Sequence, residues 1–352
     1  MNLFKSRTFI ISAIVSLLLG LVFLKFEASI LSLVFSVFSL FAVLVLLYHP
    51  SIWIEDAFGA VSYKLKISSL VAGGLFLAIS SSTPEFFTSF SGIVVYKIFD
   101  IGLATVLWSA LFNLCIIIGI CSLIKSPLTV DPRIYKRDMP FYGVSIILLL
   151  LLALDKSYSS YDFLILICLY IVYVISLFFD KSKPYSAVSN QSWKSIILKL
   201  VFGILLISVL SHLLVTFGLR TIKLSEELFE FIFPISLLAA IVFAPGTSIS
   251  DLLMSISATR KGEDSVGIVN GIASNTFDLC ICLGVPGFIY TSMTGKKILI
   301  NIFDSGSIII ILVIGYVLTF LFIYSEKKVH KGEGVVLIAY FVGSIVYLFF
   351  TV

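Results

Sequence analysis

Ala78-Ile-Ser-Ser-Ser-Thr-Pro-Glu85 returns 166 residues later as Ala244-Pro-Gly-Thr-Ser-Ile-Ser-Asp251. A second stretch follows each one. Trp108-Ser-Ala-Leu-Phe-Asn113-Leu-Cys-Ile-Ile-Ile-Gly119 has its counterpart, 165 residues on, in Ala273-Ser-Asn-Thr-Phe-Asp278-Leu-Cys-Ile-Cys-Leu-Gly284. In all four a hydroxyl precedes a carboxylate or amide by four residues: Ser81 and Glu85, Thr247 and Asp251, Ser109 and Asn113, Ser274 and Asp278. Residues i and i+4 share one face of a helix, so each stretch presents an oxygen-bearing stripe. Four such stripes facing one another form an oxygen-lined cavity, which suits a hard cation; Ca²⁺ takes about 6–8 oxygen ligands. Soft metals prefer Cys or His. No His lies in these stretches, and the neighbouring cysteines are read as lying off the stripes.

The rest of the chain sets the surroundings of that cavity. Of 352 residues, 59% are hydrophobic and 12% charged, with a mean hydropathy of +1.14. A soluble chain carries roughly 25% charged residues, so a soluble enzyme, a nucleic-acid binder and a disordered protein are all disfavoured. A net charge of +4 is too balanced to suggest a polyanionic partner. Eleven apolar segments stand out, roughly 9–26, 29–49, 68–95, 101–124, 139–154, 161–179, 196–219, 231–258, 265–292, 305–324 and 334–352. They suit helices of about 20 apolar residues and are too uniform for barrel strands. The fold class is therefore an all-α integral membrane protein of about 11 transmembrane helices. Placing the N-terminus in the cytoplasm and the C-terminus outside puts 17 of the 24 Lys and Arg residues on the inner side, as the positive-inside rule requires. Lys5 and Arg7 precede the first segment as in a signal peptide, but no small-x-small cleavage site follows, so a retained helix is expected.

Only three carboxylates fall far from the expected span ends: Glu85, Asp251 and Asp278. A charge at the bilayer centre costs about 2.5–3.5 kcal/mol even on lenient scales, so these three are read as lining an ion or proton pathway. Pro84 and Pro245-Gly246 mark places where the helices break, and a proline frees a carbonyl one turn back as a further ligand. The first motif pair is joined by an outer loop at 97–100 and the second by an inner loop at 260–264, so the two halves are inverted. Inverted repeats around a midplane site are the architecture of secondary transporters. The five cysteines lie inside spans, without metal-ligand spacing, and are read as packing residues. His49, His212 and His330 are placed near span ends without a metal or catalytic role, and no nucleotide-binding motif appears.

At these residues the sequence resembles the cation/calcium exchanger superfamily, whose paired alpha repeats the two motifs match. Within it the sequence looks most like the potassium-dependent sodium/calcium exchangers. The telling stretches are Ser81-Ser-Thr-Pro-Glu85, Ser109 to Gly119, Ser274-Asn-Thr-Phe-Asp278 and Leu283-Gly-Val-Pro286. The likeness covers roughly 42–119 and 236–287. It implies two inverted five-helix repeats plus one extra N-terminal helix. Residues 1–28 form that helix, 29–179 the first half (alpha repeat about 68–124), 180–192 a short cytoplasmic linker, and 193–352 the second half (alpha repeat about 231–292). Larger members carry regulatory calcium-binding domains in the linker, and this one is too short for them. The resemblance further implies that Glu85 and Asp251 are central Ca²⁺ ligands shared with Na⁺. Ser81 and Thr247 would add oxygens, and Ser109, Asn113, Ser274 and Asp278 would complete flanking sites. An acid at Asp278 resembles the potassium-dependent branch and raises K⁺ as a further cargo. The sequence departs from the family at Ser80, Trp108 and Ala273, where Gly is usual, and at Ser250, where Pro is usual. Trp108, next to Ser109, is expected to narrow the site or shift its ion preference.

The expected activity is antiport of Ca²⁺ against Na⁺ by alternating access. The outer helices near 29–49 and 196–219 would slide against the rest. A Ca²⁺/H⁺ antiporter on the same scaffold, an exchanger of another divalent cation such as Mg²⁺ or Mn²⁺, and a channel are the alternatives. An enzyme is not expected, because no nucleophile–base pair accompanies the three acids. The expected partners are the transported cations and the lipid bilayer, with no nucleic acid and no nucleotide. The expected location is the plasma (inner) membrane of a microbe.

Overall fold

The computed structural model describes residues 7–24, 26–68, 71–179, 189–231, 233–262, 264–300 and 302–351. Lys5, Lys25, Lys181, Lys183 and positions 180–188 of the expected linker lie outside the described residues. Nearly everything described is helical, as long runs of Leu, Ile, Val and Phe in a low-dielectric setting require: there every backbone N–H must bond within its own segment. The helices are α1 (Arg7–Phe23), α2 (Ile30–Lys64), α3 (Ala72–Ser81), α4 (83–95), α5 (Phe99–Ile124), α6 (134–152) and α7 (Ser160–Phe178). After the linker come α8 (Trp193–Phe229), α9 (Ile235–Thr247), α10 (Ile249–Arg260), α11 (264–294), α12 (Ile302–Glu326) and α13 (Lys331–Thr351). Most of the described residues of each apolar segment are helical. Among the described residues, seven helical stretches are long and apolar enough to cross a membrane, or eight if the bent pair α9–α10 counts as one span. The remaining segments are helical in shorter pieces.

Two details are shared by the motif-bearing helices. The chain breaks at Ser82 (φ −87°, ψ 6°) between α3 and α4, and at Ser248 (φ −88°, ψ 8°) between α9 and α10. The same 166-residue offset relates these two breaks. Glu85 and Asp251 therefore each lie in the first turn after a break, at the electropositive start of a helix. The helix also widens into π turns at matched places: Ala72–Leu77 and Ala239–Phe243 before the breaks, and Asn113–Ile117 and Asp278–Cys282 inside α5 and α11. Such turns recur at functional positions. Here the second pair opens on the two residues singled out by the sequence repeat.

α2 and α8 are the longest helices, 35 and 37 residues, and pack along each other. The second apolar segment spans 29–49, and the continuation toward Lys66 that the resemblance implies is helical too: α2 runs through the buried Pro50 to Lys64. Gly203 on α8 allows the close approach: a Cβ there would lie 2.7 Å from Ile54 Cγ1 and 3.4 Å from the Pro50 carbonyl oxygen. Ile197, Phe202 and Val209 stand exposed along α8, an apolar face fit for lipid. Two short antiparallel ribbons tie loops together: β1 (Leu128–Thr129) pairs β4 (Lys328–Val329), and β2 (Ser157–Tyr158) pairs β3 (Ile298–Leu299).

Polar placement differs from the sequence reading at several points. Asp138 is fully buried rather than in a loop. Arg137 donates to it through Nε (2.8 Å) and Nη2 (3.2 Å), and the Tyr173 hydroxyl donates at 3.1 Å. The continuation of α2 carries Glu55 and Asp56 into the helix. Asp56 pairs with Lys199 of α8 at 3.4 Å, while Glu55 is half-buried. His212 sits in mid-α8, not near its end; its Nδ1 lies 2.9 Å from Ser91 Oγ and its ring stacks on Tyr96. Of the cysteines, Cys168 is exposed and Cys115, Cys121, Cys280 and Cys282 are buried.

Candidate functional site

All eight residues named from the sequence are buried. Glu85, Asp251, Asp278, Ser109 and Ser274 are 0% exposed, and Asn113, Ser81 and Thr247 are within 3% of that. The two breaks bring α4 and α10 to face α5 and α11. Glu85 Oε1 accepts hydrogen bonds from Ser109 Oγ (3.2 Å) and Ser248 Oγ (3.0 Å), and those two hydroxyls are 2.7 Å apart. Asp251 Oδ1 accepts from the Asn270 amide at 2.6 Å. Ser81 Oγ meets Ser274 Oγ at 3.0 Å. Thr247 Oγ1 donates back to the Ala244 carbonyl (3.4 Å) and Ser81 Oγ to the Ala78 carbonyl (3.2 Å). Glu85 is thus served by a hydroxyl at the other half's break, Ser248, whereas Asp251 takes its bond from Asn270 of its own half.

Asn113 and Asp278 occupy matching positions and behave differently. The Asn113 amide turns to Asn275 Oδ1 (2.9 Å), and Asn275 in turn donates to the Ala110 carbonyl (3.0 Å). Asn113 therefore does not bond to either central acid. Asp278 Oδ1 is met by Cys282 Sγ at 3.4 Å. This corrects the reading of the cysteines: Cys282 lies four residues after Asp278, on its stripe, and its thiol faces the site.

The electrostatics are those of a buried polar cluster short of donors. Glu85, Asp251 and Asp278 are close enough to repel one another. Among the described residues, no Lys, Arg or His pairs with any of them. Five carboxylate and amide oxygens of this cluster receive no hydrogen bond: Glu85 Oε2, Asp251 Oδ2, Asp278 Oδ2, Asn113 Oδ1 and Asn270 Oδ1. Buried acceptors are normally satisfied, and unpaired ionised ones are expensive in a span. Among the described residues no three His, Cys, Asp or Glu side chains cluster tightly enough to hold a metal alone. A bound cation would therefore need amide and hydroxyl oxygens beside the carboxylates.

Sequence reasoning missed Ser248, Asn270, Asn275 and Cys282. Extending the stripe of α11 by one turn each way gives Asn270, Ser274, Asp278 and Cys282, all four apart. Ser248 was visible as the partner of Ser82 at the 166-residue offset. Trp108 does not point into the site. Its fully buried ring packs edge-on against Phe341 of α13, with centroids 5.8 Å apart. The neighbouring Phe112 packs on the same ring. Ser80 donates back to the Leu77 carbonyl at 2.8 Å, while Ser250 Oγ is buried without a partner.

Comparison with known proteins places this geometry. The sequence profile of the family "Sodium/calcium exchanger protein" matches residues 35–179 and 195–350. Human sodium/potassium/calcium exchanger 5 is 24% identical over 382 aligned positions, covering 80% of this chain and 76% of that one. The chain spans less than a fifth of the length of the mammalian sodium/potassium/calcium exchangers 1 and 3 that it also matches. Among solved structures, the H⁺/Ca²⁺ exchanger CAX superposes with a TM-score of 0.75 at 13% identity, covering 96% of this chain and 86% of that one. The sodium–calcium exchanger NCX_Mj superposes with a TM-score of 0.63 at 20% identity, covering 96% and 99%. These structural likenesses concern the fold.

Proposed function

We propose, for a chain that belongs to the sodium/calcium exchanger family, an antiporter that moves Ca²⁺ against Na⁺ by alternating access. The observation that carries this reading is the group of five donor-less buried oxygens on Glu85, Asp251, Asp278, Asn113 and Asn270. Ca²⁺ between Glu85 and Asp251 would offset both charges, and Na⁺ ions in overlapping positions would do the same. Ser81, Thr247, Ser109, Asn113, Ser274 and Asp278 complete the proposed ligand set. An empty site leaves charges that repel one another in a low-dielectric setting. Switching sides is then favourable only when cations are aboard, and this couples the two fluxes.

The proposed frame is two inverted five-helix halves, 29–179 and 193–352, preceded by an extra helix. The N-terminus is cytoplasmic and the C-terminus outside, in a plasma (inner) membrane of microbial type. α2 and α8, which pack along each other and expose apolar faces, are the pair proposed to slide. Asp278 supplies a third carboxylate, room for one K⁺ beside Ca²⁺; the names of the potassium-dependent relatives support that role. A second reading, Ca²⁺/H⁺ antiport, has support in the likeness to CAX, because protons can offset the same carboxylates.

Proteoliposomes decide between the two. Loaded with Na⁺ and diluted into Na⁺-free buffer, they should take up Ca²⁺ at a rate that collapses when the Na⁺ gradient is dissipated. Undiminished uptake driven by a pH gradient alone, with no Na⁺ present, would establish the second reading instead.

A further inference from the structure

The proposed cargo site has an additional carboxylate on one of its two approaches. Asp251, Ser255 and Thr259 are spaced four apart on α10, so they line one face of that helix. They are 0%, 0% and 2% exposed, a buried polar stripe running from the site toward Arg260 at the helix end. Asp251 Oδ2 and Thr259 Oγ1 are both buried without a hydrogen-bond partner. α2 packs against this helix. Its Glu55 is half-buried and near enough to Asp251 for the two carboxylates to repel.

Among the described residues, no hydrogen bond or ion pair holds Glu55, and Tyr48 lies near its charge. Asp56, one residue on and turned about 100° around the helix axis, takes Lys199 of α8. Lys64 stands over the Trp193 ring. Glu55 lies nine residues before the end of α2 at Lys64, about 14 Å along the helix axis. A half-buried carboxylate without a counter-charge is costly unless it serves a charged species.

The opposite approach differs. Four residues beyond Glu85 on α4 stands Ser89, and α8 faces that helix with His212, bonded to Ser91. No carboxylate faces Glu85 from α8 there.

We infer that Glu55 is a cation-loading residue on the cytoplasmic approach, collecting Ca²⁺ or Na⁺ between α2 and α10 and passing it along the Thr259–Ser255–Asp251 stripe. The inference rests on the exchanger reading and on the orientation that puts Lys64, Lys66, Arg260 and Lys261 inside. A cleft lined by one sign of charge raises the local counter-ion concentration, so its loss weakens loading by about tenfold or more. The effect is confined to one face of the membrane.

The test is initial-rate ⁴⁵Ca²⁺ uptake in sealed vesicles of both orientations, inside-out and right-side-out. Glu55→Gln is expected to raise the half-saturating Ca²⁺ concentration about tenfold at the cytoplasmic face and to leave the outer face within about twofold. Glu55→Asp, which keeps the charge, is expected to restore most of the affinity. The wild-type cytoplasmic affinity should fall with ionic strength more steeply than that of Glu55→Gln. An equal shift at both faces, a shift at the outer face alone, or no shift overturns the inference. Asp251→Asn serves as the separate control: if it transports normally, the site assignment itself fails, whatever Glu55 does.

Discussion

The two motif-bearing regions share a backbone and differ in charge. Breaks at Ser82 and Ser248 have nearly identical dihedrals, and π turns open at Asn113 and at Asp278. The first region nevertheless offers one carboxylate, Glu85, already holding two hydroxyls, and an amide locked to Asn275. The second offers two carboxylates, Asp251 and Asp278, met by one amide and one thiol. The scaffold is duplicated and the chemistry is not. The breaks and π turns follow the repeat, while the carboxylates, one in the first region and two in the second, do not.

The sharpest way to break this comparison is to neutralise its shared element. Glu85→Gln and Asp251→Asn each remove one central acid while keeping shape and hydrogen-bonding capacity. Losing a charged ligand worth about 3 kcal/mol corresponds to about a hundredfold. Both variants are expected to fall at least that far in Na⁺-dependent Ca²⁺ uptake, while eluting as folded, monodisperse protein. If one of them retains near-normal flux, the two regions are not equal partners, and the central site belongs to the other acid.

The next test makes the second region resemble the first. Asp278→Asn places at the head of the second π turn the amide that stands at the first. Ca²⁺ uptake is expected to persist at a reduced rate. Any stimulation by K⁺, titrated at fixed Na⁺, should fall by about tenfold, the effect of losing one nearby charge. K⁺ stimulation that survives the change would remove Asp278 from the cargo site and leave it a helix-packing residue.

Much of this was legible in the sequence. A repeat of polar residues in an apolar chain is conspicuous, and the i, i+4 spacing carries directly onto helices. The all-helical class and the burial of the eight named residues both emerged as expected. What stayed hidden depended on helix length and on contacts between distant segments. The apolar segment was drawn to 49 and the resemblance carried its helix on toward Lys66, but the close contact of Ile54 with Gly203 beyond that point was not visible. Glu55 therefore appeared to be an interface charge. Asp138 looked like a loop residue until Arg137 and Tyr173 closed over it. Asn275, one residue outside the stripe, bonds a residue 162 positions away, which no local pattern could reveal.

The smallest expected effect on transport concerns Trp108 and Ala273, matching positions of unequal size beside Ser109 and Ser274. From the sequence, the bulk of Trp108 threatened the site. In the fold its ring leaves the site and fills the space against Phe341. Ala273 is also fully buried. The size difference between the two positions is thus a packing difference that leaves the ligand geometry alone. Trp108→Ala should then cost about 3–5 kcal/mol of stability through the cavity it leaves, read as a lowered melting temperature in detergent. The relative preference for Ca²⁺ over other divalent cations should stay within about twofold, because a lost van der Waals contact on the far side of α5 adds no ligand and removes none. A changed ion preference at unchanged stability would reverse this assignment. It would mean that the size of residue 108, and not only the charge at residue 278, distinguishes the two regions functionally.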